Sequence, residues 1–204
     1  AKILNRYARK DDRVRVKFLQ ENLGVSGASN EAIALATGEF IGLLDHDDEL
    51  LPSALYEVVR LLNRTRDADF IYSDEILLNK SGTRIYAYYR PDFSRDYMLS
   101  HCYIVHFSVI RTSLARKIGG FKRDFSISQD YDLFLRVISE TGNVSHIPKV
   151  LYFWRQHGSG TGHVLMSKVM DFSRKAIRDY LDREGIDGDV LNTGHFNFFR
   201  VKRK

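Results

Sequence analysis

Long apolar runs and paired cysteines are both absent from this chain of 204 residues. No segment approaches the roughly 20 apolar residues that a membrane-spanning helix needs, and residues 1–6 lack the core of a signal peptide. Cys102 is the single cysteine, which excludes an intramolecular disulfide and a cysteine-based zinc site and suits a reducing compartment. With 44% hydrophobic residues, the chain is expected to form one soluble α/β domain.

Two signatures of nucleotide and nucleic-acid binding are also missing. There is no glycine-rich phosphate loop with a basic residue, which argues against a nucleotidyltransferase. The net charge of +5 is compatible with nucleic acid, an anionic membrane surface or phosphorylated ligands. The basic residues are spread along the chain without an aromatic-basic recognition motif, so no nucleic-acid partner is expected.

The most informative stretch is a short apolar run that ends in three carboxylates. Residues 40–44 are largely apolar, with glycines at positions 38 and 42, and predict a strand that is buried on both faces of a sheet. Asp45, Asp47 and Asp48 follow at its carboxyl end, where open α/β sheets bind ligands. Such closely spaced carboxylates repel one another unless a cation or many hydrogen bonds stabilise them. We therefore predict a divalent metal that carries a phosphate.

Hydrophobic periodicity and turn residues predict the other elements. Helices are expected over residues 3–7, 31–37, 52–62, 114–118 and 165–183, and another begins after Ser128. Strands are expected over 14–18, 69–75, 103–110, 145–155 and 195–204, with a hairpin or an irregular excursion at 76–92. The loop predicted at 20–30 either holds an anion or only connects a strand to a helix. Asp130 lies in the first turn of its helix, where an acid gains from the helix dipole whatever its function.

Two groups of aromatic side chains have an ordinary structural explanation. His101 and His106 are predicted to be structural. Tyr86, Tyr88 and Tyr89 crowd the predicted hairpin, where they would either line a sugar pocket through their ring faces or pack over the sheet. Packing is the preferred interpretation, so these tyrosines are left out of the predicted site.

Seven segments, taken in order, form a recognisable series of motifs. They are NLGVSGASN (22–30), ATGEFI (36–41), DHDD (45–48), YSDE (72–75), GGF (119–121), QDYDLFLR (129–136) and IPKVLYFWR (147–155). Together they resemble glycosyltransferase family 2, the inverting sugar transferases of the GT-A fold. The resemblance covers nearly the whole chain and is strongest to bacterial members that build O-antigen, capsule and related surface glycans.

This resemblance implies a fold and a reaction. The fold would be α/β and GT-A-like (Rossmann-related), with a mixed, mostly parallel sheet flanked by helices. The reaction would move a sugar from a nucleotide-sugar donor to a hydroxyl of a glycan or lipid-linked acceptor in a metal-assisted single displacement. The expected location is the cytoplasm, with peripheral contact at the inner membrane surface.

The resemblance also implies roles for individual residues. Asp130 matches the general base that takes the proton of the acceptor hydroxyl. Asp45 and Asp47 match the Asp-x-Asp motif that holds Mn²⁺ or Mg²⁺, and His157 resembles a loop histidine that adds a metal ligand in some relatives. Asp48 is a further acid, and the resemblance assigns it no share in binding the metal or the donor. Donor contacts are expected from Asn22, Gly24, Asn30, Asp45, His46 and Arg155, and acceptor or sugar contacts from Asp74, Gln129 and Trp154.

The sequence departs from the family pattern in two places. Ser29 stands where family members commonly have arginine. The family's first strand, the helix after it and the strand near the nucleobase are not found, so residues 1–204 are expected to be an N-terminally incomplete catalytic domain. Residues 194–202 resemble the connector to a further transferase module. The alternative is a non-catalytic remnant that binds or scaffolds glycans.

Overall fold

The computed structural model describes residues 1–125, 127–156 and 166–204. In these ranges the helices are α1 (Lys2–Ala8), α2 (Gly24–Leu35), α3 (Ala54–Leu62), α4 (Arg95–Ser100), α5 (Thr112–Lys117), α6 (Gln129–Glu140) and α7 (Met166–Arg183). The strands are β1 (Phe40–Gly42), β2 (Glu49–Leu50), β3 (Phe70–Leu78), β4 (Arg84–Tyr88), β5 (Ser108–Arg111), β6 (Val144–Arg155), β7 (Gly188–Asn192) and β8 (Phe199–Arg203).

A six-stranded mixed sheet forms the centre of the fold, in the order β1-β5-β3-β6-β2, with β4 paired to β3. β3 and β6 run parallel along the whole of β3. β5 is antiparallel to both β1 and β3, so β1, β3 and β6 share one direction. β2 and β4 are antiparallel to β6 and β3, respectively.

Helices cover both faces of this sheet. Since successive side chains of a strand project to opposite faces, alternate residues of β3 pack against different helices. Phe70 and Tyr72 of β3 belong to the larger core, which includes residues of α6 and α7. Ile71, between them, belongs to a smaller core with Ala54 and Val58 of α3. The predicted mixed α/β architecture with flanking helices is confirmed, but the sheet is not mostly parallel: of its five described strand pairs, four are antiparallel and β3–β6 is parallel.

The prediction of a loop over residues 20–30 is wrong for most of this segment, because α2 begins at Gly24. Ser26 and Gly27 are buried in the first turn of this helix. The hydroxyl of Ser26 donates to the carbonyl of Phe125 (3.2 Å), which lies in the segment before α6. The small residues therefore allow a helix to pack closely, and they do not form a flexible loop.

β1 is shorter and less buried than the sequence predicted. It has three residues and lies at the edge of the described sheet, where it pairs with β5. Ile41 is buried, but Phe40 is half-buried and Gly42 is exposed, so the prediction of a strand buried on both faces is wrong for the described structure. The N–H of Leu43 still donates to the carbonyl of Ser108 (2.9 Å), and the chain then leaves the sheet.

Three further features complete the fold. Residues 14–18 are not a strand in the described structure, which contradicts the alternation seen in their sequence. β7 and β8 form a separate two-stranded sheet, of which only the second strand was predicted. Within the described ranges, no helix combines the length and the apolar character needed to cross a membrane.

Candidate active site

A turn after β1 brings Asp45 and Asp48 together. The N–H of Asp48 donates to the carbonyl of Asp45 (3.3 Å), which reverses the chain over two residues. Because β1 ends at Gly42, this turn lies beyond the carboxyl end of the strand. The acids therefore stand at the carboxyl end of a strand, as the sequence predicted.

Tyr152 of β6 anchors this turn. Its hydroxyl donates to Asp48 Oδ2 (2.6 Å) and accepts the N–H of Asp45 (3.2 Å). The N–H of Arg155 donates to Asp48 Oδ1 (2.7 Å), and the Nε of the same arginine donates to the carbonyl of Asp47 (3.1 Å). A single strand of the sheet thus holds both carboxylate oxygens of Asp48.

His106 forms a group of three potential metal ligands with Asp45 and Asp48. Their ligand atoms all lie within 4.8 Å of one another. The imidazole stacks on Tyr152 with ring centroids 4.5 Å apart and meets Trp154 edge-on at 5.7 Å. Burial is the main cause that lowers the pKa of His106 to about 4, so the ring is neutral near pH 7 and has a lone pair available for a metal.

The two carboxylates of this group lie where charge is disfavoured. Burial, followed by the charges of Asp48 and Asp47, raises the pKa of Asp45. Burial also raises the pKa of Asp48, against the hydrogen bonds donated by Arg155 and Tyr152. A divalent cation would relieve the repulsion, and two carboxylates with a neutral imidazole are a donor set that suits Mn²⁺. The residues therefore fit a divalent metal.

The metal ligands predicted from the motif overlap with this group only in part. Asp45 belongs to both. The side chain of Asp47 is 34% exposed, and its Oδ1 lies 3.8 Å from Nδ1 of His46. His157 lies outside the described residues. The assignment of Asp47 and His157 as ligands stays a prediction.

Asp130 lines the same cavity as Asp45 and His106. This cavity has a volume of about 400 Å³ and lies between β1, α2 and the start of α6. Ser128, directly before α6, has a φ of +58°, and its hydroxyl is 3.1 Å from that of Ser173 on α7. Burial, followed by the charge of Asp45, raises the pKa of Asp130 to about 7, so this carboxyl can exchange a proton near neutral pH.

The raised pKa of Asp130 makes the fold lose stability as the pH rises. The carboxyl titrates at its ordinary value of 3.8 in the unfolded chain and at about 7 in the folded one, so stability falls between these two values. We expect metal-free Asp130→Asn to melt at a higher temperature than the parent protein near pH 8 and at about the same temperature near pH 4. Scanning calorimetry measures both differences. A difference that does not change with pH would contradict the raised pKa.

Two further acids lie at the middle of β3, with different partners. Asp74 accepts hydrogen bonds from Nε2 of His146 (3.0 Å) and from the N–H of Arg90 (2.8 Å). Glu75 is fully buried and forms an ion pair with the guanidinium of Arg90. Burial raises the pKa of Glu75 to about 7, and its Oε2 has no hydrogen-bond partner among the described residues. Asp74 is thus engaged by protein groups, and its role as a sugar contact stays a prediction.

Five of the six predicted donor-binding residues do not line the described cavity: Asn22, Gly24, Asn30, His46 and Arg155. Asn22 Oδ1 accepts the N–H of Gly24 (2.8 Å) at the start of α2. The side-chain amide of Asn30 exchanges two hydrogen bonds with the backbone of Phe121, at 2.7 and 2.8 Å. The side chain of His46 is 97% exposed. Their role in donor binding stays a prediction.

The remaining predicted residues lie close to the turn or the cavity. Gln129 lines the cavity next to Asp130. Trp154 contacts His106 at the edge of the ring. The guanidinium of Arg155 is engaged by Glu49 as well as by the backbone of the turn.

Sequence reasoning missed two residues that shape this site. His106 was interpreted as structural, and Tyr152 as one apolar residue of a strand. No local motif marks His106, and Tyr152 lies within the segment IPKVLYFWR (147–155) without an assigned role, because each reaches the turn from a position distant in the sequence. The sequence marks each residue only as a polar group within an apolar run, and this pattern is a weak signal for a functional residue.

The sequence of the chain matches the profile of one protein family over more than half of its length. The profile described as "Glycosyl transferase family 2" matches residues 1–119, more than half of the 204 residues. The chain belongs to glycosyl transferase family 2. The matched region runs from α1 through α5 and includes Asp45, Asp48 and His106.

Three relatives of this family 2 chain are longer proteins of bacteria. It is 40% identical over 186 residues to the uncharacterized protein y4gI of Sinorhizobium fredii, covering 89% of this chain and 20% of that protein. It is 30% identical to the O-antigen biosynthesis protein RfbC of Myxococcus xanthus, covering 94% and 15%. It is also 30% identical to the chondroitin synthase of Escherichia coli, covering 84% and 25%. The chain spans a quarter or less of the length of these relatives.

Solved structures share the fold of this family 2 chain. S. aureus TarS 1-349 in complex with UDP-GlcNAc matches with a TM-score of 0.70 at 16% identity, over 89% of this chain and 54% of that one. The mannosyltransferase PcManGT from Pyrobaculum calidifontis, in complex with GDP-Man and Mn²⁺, matches with a TM-score of 0.60 at 17% identity, over 90% and 55%. The predicted GT-A-like fold is confirmed.

Proposed function

We propose that this family 2 domain transfers a sugar, with inversion at the anomeric carbon, from a nucleotide-sugar to a hydroxyl of a glycan or lipid-linked acceptor. The observation that carries the proposal is that Asp130, a carboxyl with a pKa of about 7, lines one cavity with Asp45 and His106. A base and a group that binds the leaving diphosphate are the two components that a single displacement needs.

Asp130 is the general base of the proposed reaction. A base works best when its pKa is close to the operating pH, and the pKa of about 7 for Asp130 meets this requirement. The acceptor oxygen forms a bond to the anomeric carbon while the bond from that carbon to the diphosphate oxygen breaks. The hydroxyl proton passes to Asp130, and the nucleoside diphosphate leaves with the electron pair. The configuration is inverted in one step without a covalent enzyme intermediate.

Asp45, Asp48 and His106 would hold Mn²⁺ or Mg²⁺ at the turn, with Asp47 and His157 as the ligands proposed from the motif. When bound, the cation neutralises the negative charge that develops on the departing diphosphate. The hydroxyl of Tyr152 orients the carboxylate of Asp48. The neutral imidazole of His106 favours Mn²⁺ over Mg²⁺, since Mg²⁺ prefers oxygen ligands and water.

The substrates are proposed from the names of similar proteins. Two similar structures contain UDP-GlcNAc and GDP-Man, which supports a nucleotide-sugar donor. Two relatives are named for O-antigen biosynthesis and chondroitin synthesis, which supports an acceptor that is a growing surface polysaccharide. A further transferase module in the same polypeptide and peripheral contact with the inner membrane from the cytoplasm belong to the same proposal.

The proposal is tested with a panel of nucleotide-sugars that includes UDP-GlcNAc and GDP-mannose, each incubated with the protein and Mn²⁺. We expect release of the nucleoside diphosphate from one donor and, by NMR, a sugar product with inverted anomeric configuration. A protein that neither binds nor cleaves any donor, but binds glycans, would instead be the non-catalytic module.

A further inference from the structure

We propose that the hairpin of β3 and β4 carries an extended binding surface for the acceptor glycan, formed by Trp154, Leu77, Tyr86 and Tyr88. This inference rests on the proposed function, because it takes the acceptor to be a carbohydrate chain. It assigns a role to tyrosines that the sequence alone left to packing.

One row of this surface crosses three neighbouring strands. Leu77 of β3 pairs with Trp154 of β6 on one side and with Tyr86 of β4 on the other. Paired residues on adjacent strands project from the same face of a sheet, so these three side chains lie side by side. Two strand spacings separate Trp154 from Tyr86, which is about 10 Å and comparable to the length of a disaccharide.

A second row connects the surface to the turn after β1. Glu75 pairs with Tyr152 and with Tyr88, so all three project from the face that carries the first row. Tyr152 is the residue that holds the acidic turn. At the other end, the rings of Tyr88 and Tyr86 contact each other edge-on, with centroids 4.8 Å apart. The two rows are therefore continuous with the candidate active site.

Exposure differs among the residues of the surface: Leu77 is 7% exposed and forms its floor, and Tyr86, at the far end, is the most exposed. Trp154, which touches His106, is half-buried, as is Tyr88, whereas Tyr86 is 60% exposed. The guanidinium of Arg90 lies over the ring of Tyr88 at 4.9 Å and adds hydrogen-bond donors beside it.

Ring faces can pack on the C–H groups of a sugar while tyrosine hydroxyls remain hydrated. A surface that starts at the reacting groups and ends in solvent suits a chain of several sugars rather than a single one. The polymer would run outwards from its reacting end at the cavity.

Two residues provide matched controls. Ile85 adjoins Tyr86 and is 53% exposed, but it lies at the register shift between the pairs Leu77–Tyr86 and Leu78–Arg84, so it belongs to neither row. Tyr56 on α3 is 64% exposed and also lies outside both rows. Ile85→Ala therefore controls for disturbance of the hairpin, and Tyr56→Ala for loss of an exposed tyrosine.

The experiment measures binding of the protein and its variants to an array of bacterial oligosaccharides, from monosaccharides to octasaccharides. We expect the parent protein to bind longer chains more tightly than short ones. Tyr86→Ala should weaken binding of the longer chains about three- to tenfold, which is the range of one lost aromatic contact. Tyr86→Phe, Ile85→Ala and Tyr56→Ala should bind like the parent protein.

Three results would overturn the inference: no binding to any chain, binding that does not depend on length, or an equal loss in Ile85→Ala, which would show that disturbance of the hairpin, and not loss of the Tyr86 ring, weakens binding. Donor cleavage by the parent protein, measured separately, tests the proposed function. Binding that depends on Tyr86 without donor cleavage would refute transfer alone, whereas cleavage with unaltered binding in Tyr86→Ala would refute the glycan surface alone.

Discussion

Asp130→Asn is expected to abolish sugar transfer while the nucleotide-sugar still binds. The amide has the shape of the carboxyl but cannot accept the proton of the acceptor hydroxyl, so the transfer rate should fall by about 10²–10⁴-fold. Transfer is measured with a radiolabelled donor, and donor affinity by calorimetry in the presence of Mn²⁺. Retained transfer would refute the role of Asp130 as the base.

The loss should be large because the cavity offers no substitute base among its described lining residues. The other titratable groups there are Asp45 and His106. Asp45 lies in the turn that would bind the cation, and the pKa of about 4 makes His106 too weak a base near pH 7. Asp124→Asn is the matched control, because this acid lies shortly before α6, whereas its side chain is 65% exposed and lies 3.8 Å from Lys175.

Local sequence patterns located the residues of the site that lie at the ends of their own elements. Asp45 follows an apolar run, and Asp130 follows a serine that begins a helix, so both positions are marked within a few residues of sequence. Such positions need no knowledge of which strands are neighbours. The family resemblance then assigned roles to positions that periodicity had already singled out.

Residues that reach the site through strand pairing could not be located in this way. Ser73 pairs with Ile147, and a regular parallel register would then place Lys149 opposite Glu75. Register shifts on both sides of Asp74 place Tyr152 there instead, three residues further along β6. A register shift by an odd number of residues exchanges the faces of the sheet to which alternate side chains project. The irregular register of β6 therefore directs the side chain of Tyr152 towards the turn.

The start of α2 shows a different limit of sequence reasoning. Glycine and serine favour loops by composition, and this preference suggested a loop before residue 31. In the structure, Ser26 and Gly27 are buried in the first turn of α2, where Ser26 contacts Phe125 and a side chain at Gly27 would clash with Leu23. Tertiary packing overrides local propensity here, and no pattern within the segment announces it.

The second large effect is expected for Mn²⁺ binding, where Asp48→Asn and Asp47→Asn should separate two assignments of the ligands. The carboxylate of Asp48 lies within 4.8 Å of the ligand atoms of Asp45 and His106, and Tyr152 orients it. Since loss of a residue that only orients a ligand already costs about 10–100-fold in metal affinity, Asp48→Asn should weaken Mn²⁺ binding by about 100-fold or more.

Asp47→Asn removes a neighbouring charge without removing a member of this group, so a loss of about tenfold or less is expected. Electron paramagnetic resonance of free Mn²⁺ during titration gives both affinities, and melting temperatures control for folding. Tyr152→Phe should show an intermediate loss, because it removes the hydrogen bond that orients Asp48. A larger loss for Asp47→Asn than for Asp48→Asn would return the site to the Asp-x-Asp assignment. Asp45 is common to both assignments, so the decision depends on the two acids that follow it.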